Sequence, residues 1–279
     1  MHVILLGASK GIGYQVLQSL LSSAGSGAEQ QQDQWSTTLL LRKPELIEQD
    51  ATIRPYIQQG RVRIVKGNAT SEDDLRKCFE GVNVDLIISS IGATPSFTLS
   101  GIHIDQPELC TKGTIALLHV LQDYQTKETQ AQFPLPRLIV VSSMGIGDHH
   151  REIPFAMRAL YSWLLTKPHQ DKLALEYLLR RSSTSFPTPD PSSNPNAIPP
   201  ESWLPQSTVH SIQSDFLPRV TIVRPAMFGA DGPARPASQL KVGEKAQVYF
   251  VRRSEVARFI VDECVQKGGW VNKLPVIGL

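Results

Sequence analysis

Apolar residues fall along this chain in short, nearly continuous runs rather than in the alternation of half-exposed strands. The runs at His2–Leu6, Thr37–Leu41, Val84–Ile88, Arg137–Val141 and Arg219–Arg224 read as strands buried on both faces. Arg61–Val65 alternates, and shorter strand patterns lie at Gln247–Val251 and Pro275–Leu279. Helical spacing fills the intervals: Tyr14–Leu21, a helix opened by Ser71 with Glu72, Asp73 and Asp74 in its first turn, 107–122, 155–181, and Ser254–Val261. Strands alternating with helices predict an α/β protein, a doubly wound, mostly parallel Rossmann-like sheet. The substrate-side region that follows the sixth strand is small, so one domain over 1–279 is expected. Residues 182–218 break the pattern. They are rich in Pro, Ser and Asn, and this composition predicts a disordered or loosely packed surface insert. Its later apolar residues, Trp203, Leu204, Ile212 and Phe216, offer the alternative of a docked partial lid.

The first strand leads into Gly7-Ala8-Ser9-Lys10-Gly11-Ile12-Gly13 and then directly into a helix. A buried strand, a glycine turn and a helix N-terminus form the opening unit of a dinucleotide-binding fold. Gly7 permits the tight turn, Gly11 lets the backbone approach a pyrophosphate, and Gly13 lets helix and strand pack closely. The helix then offers unpaired N–H groups and a positive dipole end to the phosphates. Arg42 and Lys43 follow the second strand, where this fold meets the adenosine ribose. An acid there would bind the 2′-OH of NAD(H), whereas a guanidinium accommodates the 2′-phosphate of NADP(H). With Lys10 approaching from the glycine turn, the expected cofactor is NADP(H) rather than NAD(H).

Composition narrows the functional classes. The 279 residues carry 41% hydrophobic and 19% charged residues with a formal net charge of +2, and Lys and Arg form no run or stripe, which argues against nucleic acid as a partner. Cys78, Cys110 and Cys264 are too sparse and too far apart for a disulfide frame or zinc site, and His149-His150 lack the carboxylates of a metal centre, so no metal is expected. No apolar run is long enough to span a membrane, and the first strand begins at the terminus without a leader pattern. A cytoplasmic location and a small-molecule substrate are the resulting expectations.

The G-x-x-x-G-x-G spacing resembles the short-chain dehydrogenase/reductase superfamily. The resemblance implies that Asn68 and Ala69, after the third strand, meet adenine, and that Ser90-Ile91-Gly92 lie under the cofactor ribose. It implies that Ser142 or Ser143, in Ser142-Ser143-Met144-Gly145, orients a substrate carbonyl, and that Lys172 binds the nicotinamide ribose. Arg224-Pro225-Ala226-Met227 would lie against the carboxamide, with backbone groups selecting the face presented. One departure matters: the Tyr expected four residues before Lys172 is Pro168. Tyr161 or His169 are the remaining protic candidates, alongside water. Without that tyrosine the chain most resembles the atypical branch, the NmrA-like and biliverdin reductase B-like NAD(P)-binding proteins. That branch implies an NADPH-dependent oxidoreductase acting on a small carbonyl, quinone, flavin or polyketide-like acceptor. It also implies an alternative, an NADP-binding redox sensor that signals to a protein partner without turnover.

Overall fold

The computed structural model describes residues 1–23, 35–93, 95–98, 101–128, 134–147, 166–192 and 194–279. Strands β1 (His2–Leu6), β2 (Ser36–Leu41), β3 (Val62–Lys66) and β4 (Leu86–Ser89) form half of the central sheet. A hairpin of β5 (Pro95–Thr98) and β6 (Gly101–Ile104) stands apart from it. The sheet continues with β7 (Arg137–Val141), β8 (Val220–Pro225), β10 (Lys241–Gly243) and β12 (Val276–Gly278), while β9 (Met227–Phe228) and β11 (Phe250–Val251) pair separately. The eight-stranded order is β10-β12-β8-β7-β4-β1-β2-β3, parallel except where β10 runs against β12. Strand order therefore reverses between β1 and β4, the place where open α/β sheets bind ligands beyond their carboxyl ends.

Burial explains why the strand runs are apolar throughout. Val3 and Leu5 of β1 face one helical layer, and Ile4 and Leu6 face the other. The first layer comprises α1 (Gly11–Ser23) with α2 (Glu45–Glu48) and α3 (Arg54–Gln58), joined by α8 (Arg253–Arg258) and its π-helical continuation Phe259–Gln266. The second comprises α4 (Glu72–Phe79), α5 (Leu109–Glu128), α6 (Thr166–Ser182) and α7 (Gln206–Ser211). Ser71 caps α4 as expected, its hydroxyl accepting the Asp74 N–H at 3.3 Å. The last helix starts one residue earlier than its sequence suggests, because the Glu255 carboxylate accepts the Arg252 N–H at 2.8 Å and so closes the first turn ahead of Ser254. The three cysteines are buried and free. Burial pushes the Cys78 and Cys264 thiols up to about 12 and the Cys110 thiol to about 11.

The described part of 182–218 is packed, which departs from the expectation of a loose insert. Its ends meet: Phe216 N–H donates to Ser182 O at 2.8 Å, and Thr184 N–H to Leu217 O at 3.0 Å. Phe186, Leu204, Val209, Ile212, Phe216 and Leu217 all join the second core layer. Average composition concealed this because the apolar anchors are few and widely spaced, with mostly polar and Pro residues between them.

Candidate active site at the carboxyl edge of the sheet

The glycine turn has the steric tightness that its spacing implies. Gly7 has φ +83°, and a Cβ on it would lie 2.9 Å from the Ser90 carbonyl. A Cβ on Gly13 would lie 2.4 Å from both Gly7 O and Ser90 Oγ. Any side chain at Gly13 would push α1 off the ends of β1 and β4. The Ser90 hydroxyl donates toward Leu6 O and Gly7 O, each at 3.3 Å, and so ties the β4 exit to the β1 exit. The first turn of α1 carries no acidic side chain, so its N–H groups face outward with no internal counter-charge. A tightly packed glycine corner at the topological switch, with an acid-free helix start, fits a dinucleotide diphosphate.

The remaining strand exits line the same edge. Arg42 and Lys43 are exposed immediately beyond β2. The segment after them is anchored to α1, where Tyr14 OH donates to Asp50 Oδ2 at 2.6 Å. Burial and that hydrogen bond push the Tyr14 phenol up to about 12. Beyond β3, Asn68 N–H donates to Asp74 Oδ2 at 3.0 Å, and Asn68 Oδ1 accepts the Thr70 N–H at 3.2 Å, shaping the turn through Ala69. Beyond β4, Ile91 is buried and Gly92 is exposed with open space where a Cβ would stand. Ser9 is half-buried, Lys10 exposed and Ile12 buried within the first turn.

Lys172 of α6 joins two of these exits. Its ammonium donates to Ile91 O at 3.0 Å and to Val141 O at 2.8 Å, bridging the ends of β4 and β7. Ser142 follows Val141 directly, with 5% exposure and a buried hydroxyl that has no hydrogen-bond partner among the described residues. Its N–H donates to Val223 O at 2.7 Å, and Met144 N–H donates to Pro225 O at 2.9 Å. These bonds bring the Ser-Ser-Met-Gly turn beside Arg224-Pro225. Ser143 is half-buried, and its hydroxyl leans toward Met144 O at 3.4 Å. His169, half-buried on α6, stands three residues before Lys172 and so on the same side of the helix. Tyr161, His149 and His150 lie outside the described residues.

The Arg224 side chain is turned into the core with 0% exposure, and its guanidinium is forked by the Glu176 carboxylate of α6. Only the backbone of this turn, with buried Ala226 and half-buried Met227, reaches the edge. The reason is electrostatic: a guanidinium placed inside the sheet–helix interface requires a buried counter-charge, and Glu176 supplies it.

Sequence reasoning passed over two further charged groups near the edge. Asp171, 2% exposed beside Lys172, accepts the Cys110 and Thr111 N–H groups at 2.9 and 2.8 Å and so caps α5. Its signal was only a lone acid between His169 and Lys172. The second is the Arg252-Arg253 pair, readable as two cations directly ahead of a helix. The start of α8 grips the 229–240 loop: Ser254 Oγ donates to Gly232 O at 2.7 Å, Arg252 to Pro233 O at 2.8 Å, and Arg235 forks onto Glu255. Burial alone would raise the Glu255 carboxyl, but the Arg235 fork and the Arg252 and Arg235 N–H groups more than offset it and hold it near about 2. A carboxyl depressed in the folded state contributes stability that is complete above its unfolded value and is lost as pH falls toward its folded one. On acidification from about pH 5 to pH 2 the chain should lose on the order of 3 kcal/mol through this group. Urea midpoints across that range should show a shallower acid limb for Glu255→Gln; an unchanged limb would exclude the carboxylate as its source.

Fold and edge together define a Rossmann-like protein built to hold a nicotinamide dinucleotide. Residues 7–186 match the family model described as NAD(P)H-binding, and the chain belongs to that family. Among curated proteins it is 28% identical over 219 residues to the reductase pytE of Aspergillus terreus, covering 74% of this chain and 72% of that one. It is 30% identical over 152 residues to the oxidase pynE of Aspergillus niger, covering 46% of this chain and spanning 54% of that relative's length. Among solved structures, a wide-type short-chain dehydrogenase/reductase from Veillonella parvula in complex with NADP superposes with TM-score 0.60 at 15% identity, covering all of this chain and 94% of that one. ChuY, an anaerobillin reductase from Escherichia coli O157:H7, superposes with TM-score 0.57 at 16% identity, covering all of this chain and 97% of that one. The expected NAD(P)-binding family and Rossmann-like fold are thus both found in this chain. No described helix is long and apolar enough to cross a membrane.

Proposed function

We propose that this protein is an NADPH-dependent reductase whose acceptor is a small carbonyl, quinone, flavin or polyketide-like aromatic. The observation that carries the reading is the Lys172 ammonium, fixed between the exits of β4 and β7 beside the buried Ser142 hydroxyl. A cation and a protic group at that edge suit a ribose hydroxyl and an acceptor oxygen respectively. The redox names of the two Aspergillus relatives support the same chemistry. In this reading Gly7, Ser9, Gly11, Ile12 and Gly13 cradle the diphosphate, Arg42, Lys43 and Lys10 take the 2′-phosphate, and Asn68 and Ala69 border the adenine. Ser90, Ile91, Gly92 and Lys172 hold the nicotinamide-side ribose, and the backbone from Arg224 to Met227 orients the ring. The bound nicotinamide supplies the hydride, as it does throughout this chemistry. The chain orients the acceptor through Ser142 or Ser143, and a proton reaches the reduced acceptor from His169, Tyr161 or water. A cytoplasmic location and one domain over 1–279 belong to the same proposal.

Pro168, at the position of the missing tyrosine, favours a second reading, an NADP-binding redox sensor that passes its state to a protein partner. Calorimetry with NADP⁺ and NAD⁺, followed by NADPH consumption against quinones, flavins and aromatic ketones, separates the two. Turnover with one of these classes, reduced at least tenfold in Lys172→Ala, is the expected result. Binding without turnover across the panel would favour the sensor, and binding of neither nucleotide would overturn both.

A further inference from the structure

Arg253 stands at the first position of α8, far along the chain from the glycine turn and outside the residues matched by the family model. Its side chain nevertheless lies on that turn. A Cβ built on Gly11, whose φ is +65°, would meet Arg253 Cδ at 3.7 Å and Nε at 3.9 Å. The guanidinium lies 4.7 Å from the centre of the Phe228 ring and donates to Asp231 Oδ1 at 2.8 Å. Phe228 ends the short strand that leaves the β8 exit, and Asp231 lies in the 229–240 loop that follows it. A single side chain therefore touches the glycine corner, the edge beside the nicotinamide segment and the loop.

The two ends of this contact differ in permanence. The base of Arg253 is fixed, because Glu255 closes the helix start and neighbouring Arg252 and Ser254 are bonded to Pro233 and Gly232. The Asp231 pair is exposed, with the arginine at 35% and the aspartate at 65%, and a solvent-exposed ion pair of this kind is weak and readily exchanged. A guanidinium is also the side chain best suited to fork onto phosphate oxygens.

We infer that Arg253 is a diphosphate-binding residue of the nucleotide site, held by Asp231 until nucleotide arrives, so that nucleotide binding releases Asp231 and remodels the 229–240 loop. The inference rests on the reading of the glycine turn as the diphosphate site. It makes Arg253 a second kind of cation from Arg42: the diphosphate is common to NADP⁺ and NAD⁺, so Arg253 should serve both.

Calorimetry on the full chain tests this with Arg253→Ala, Arg253→Gln and Asp231→Asn. Both arginine variants should weaken NADP⁺ and NAD⁺ alike, by about 10- to 100-fold for a lost charge-assisted contact. Asp231→Asn should tighten both severalfold by removing the competing carboxylate. Hydrogen exchange supplies a readout independent of catalysis: saturating NADP⁺ should change exchange of the 229–240 amides in the wild type and leave them unaltered in Arg253→Gln. If the wild type binds nucleotide and both arginine variants bind it equally well, this inference fails and the site reading stands. If the wild type binds neither nucleotide, both fail.

Discussion

Replacing Asp171 with alanine is expected to destabilise the folded chain by about 3–5 kcal/mol, a large effect for one side chain. Its carboxylate accepts three hydrogen bonds in a place that water does not reach: the Cys110 N–H at 2.9 Å, the Thr111 N–H at 2.8 Å and the Thr111 hydroxyl at 2.7 Å. The two amides belong to the first turn of the 20-residue helix α5, where no intrahelical acceptor exists. Alanine would leave both buried and unsatisfied while also removing a negative charge from the positive end of the helix. The exposed pairs of Arg76 with Glu72, Asp73 and Asp123 offer a contrast, since water replaces their partners at little cost. Asp171→Asn keeps one acceptor oxygen and should lose less than half as much. Urea denaturation decides the matter: both variants within 1 kcal/mol of the wild type would mean that the carboxylate does not hold α5 to α6. The consequence for function runs through the next residue. Lys172 reaches Ile91 O and Val141 O from a helix that Asp171 has locked against α5, so the capping carboxylate is a positioning residue for the ammonium.

What the sequence revealed follows from how local each signal is. The parallel strands were legible because burial on both faces demands continuous apolar runs such as Val3–Leu6 and Leu138–Val141. The glycine corner was legible because the collision of a Gly13 Cβ with Gly7 O is imposed within one turn of chain. Exits of parallel strands necessarily gather at one edge, which is why Arg42, Asn68, Ser90, Ser142 and the Arg224-Pro225 backbone lie there together. The inward turn of the Arg224 side chain was not legible, because Glu176 lies 48 residues away and only the packed helix reveals the pair. The Arg253 contact with Gly11 was hidden for the same reason, since it joins the two ends of the chain. In 182–218 an average over many polar residues masked a few apolar anchors that pack well. Tertiary pairing, not local propensity, decides these three cases.

Reversing the charge at Arg42 is expected to separate the two nucleotides. Arg42→Asp should weaken NADP⁺ by about 30- to 100-fold, the loss of one or two charge-assisted bonds worth about 2–3 kcal/mol together, and should leave NAD⁺ within about threefold of the wild type. The sign follows from position. Arg42 is the first residue beyond β2, exposed, on a segment that the Tyr14–Asp50 bond pins against α1, so its guanidinium is displayed where the fold meets the adenosine ribose. A carboxylate there would repel the 2′-phosphate yet accept a hydrogen bond from a free 2′-OH, which protects NAD⁺ affinity. Lys43→Ala should cost NADP⁺ less, because an ammonium acts as a point charge without the planar fork. If Arg42 binds the 2′-phosphate, raising the salt concentration should weaken NADP⁺ more than NAD⁺ in the wild type and have little effect on Arg42→Asp. Calorimetric titration of both nucleotides against each variant reads all of this directly. Equal losses for NADP⁺ and NAD⁺ would move Arg42 from the 2′-phosphate to a contact shared by both nucleotides, the behaviour expected of Arg253. An unchanged NADP⁺ affinity would remove Arg42 from the site.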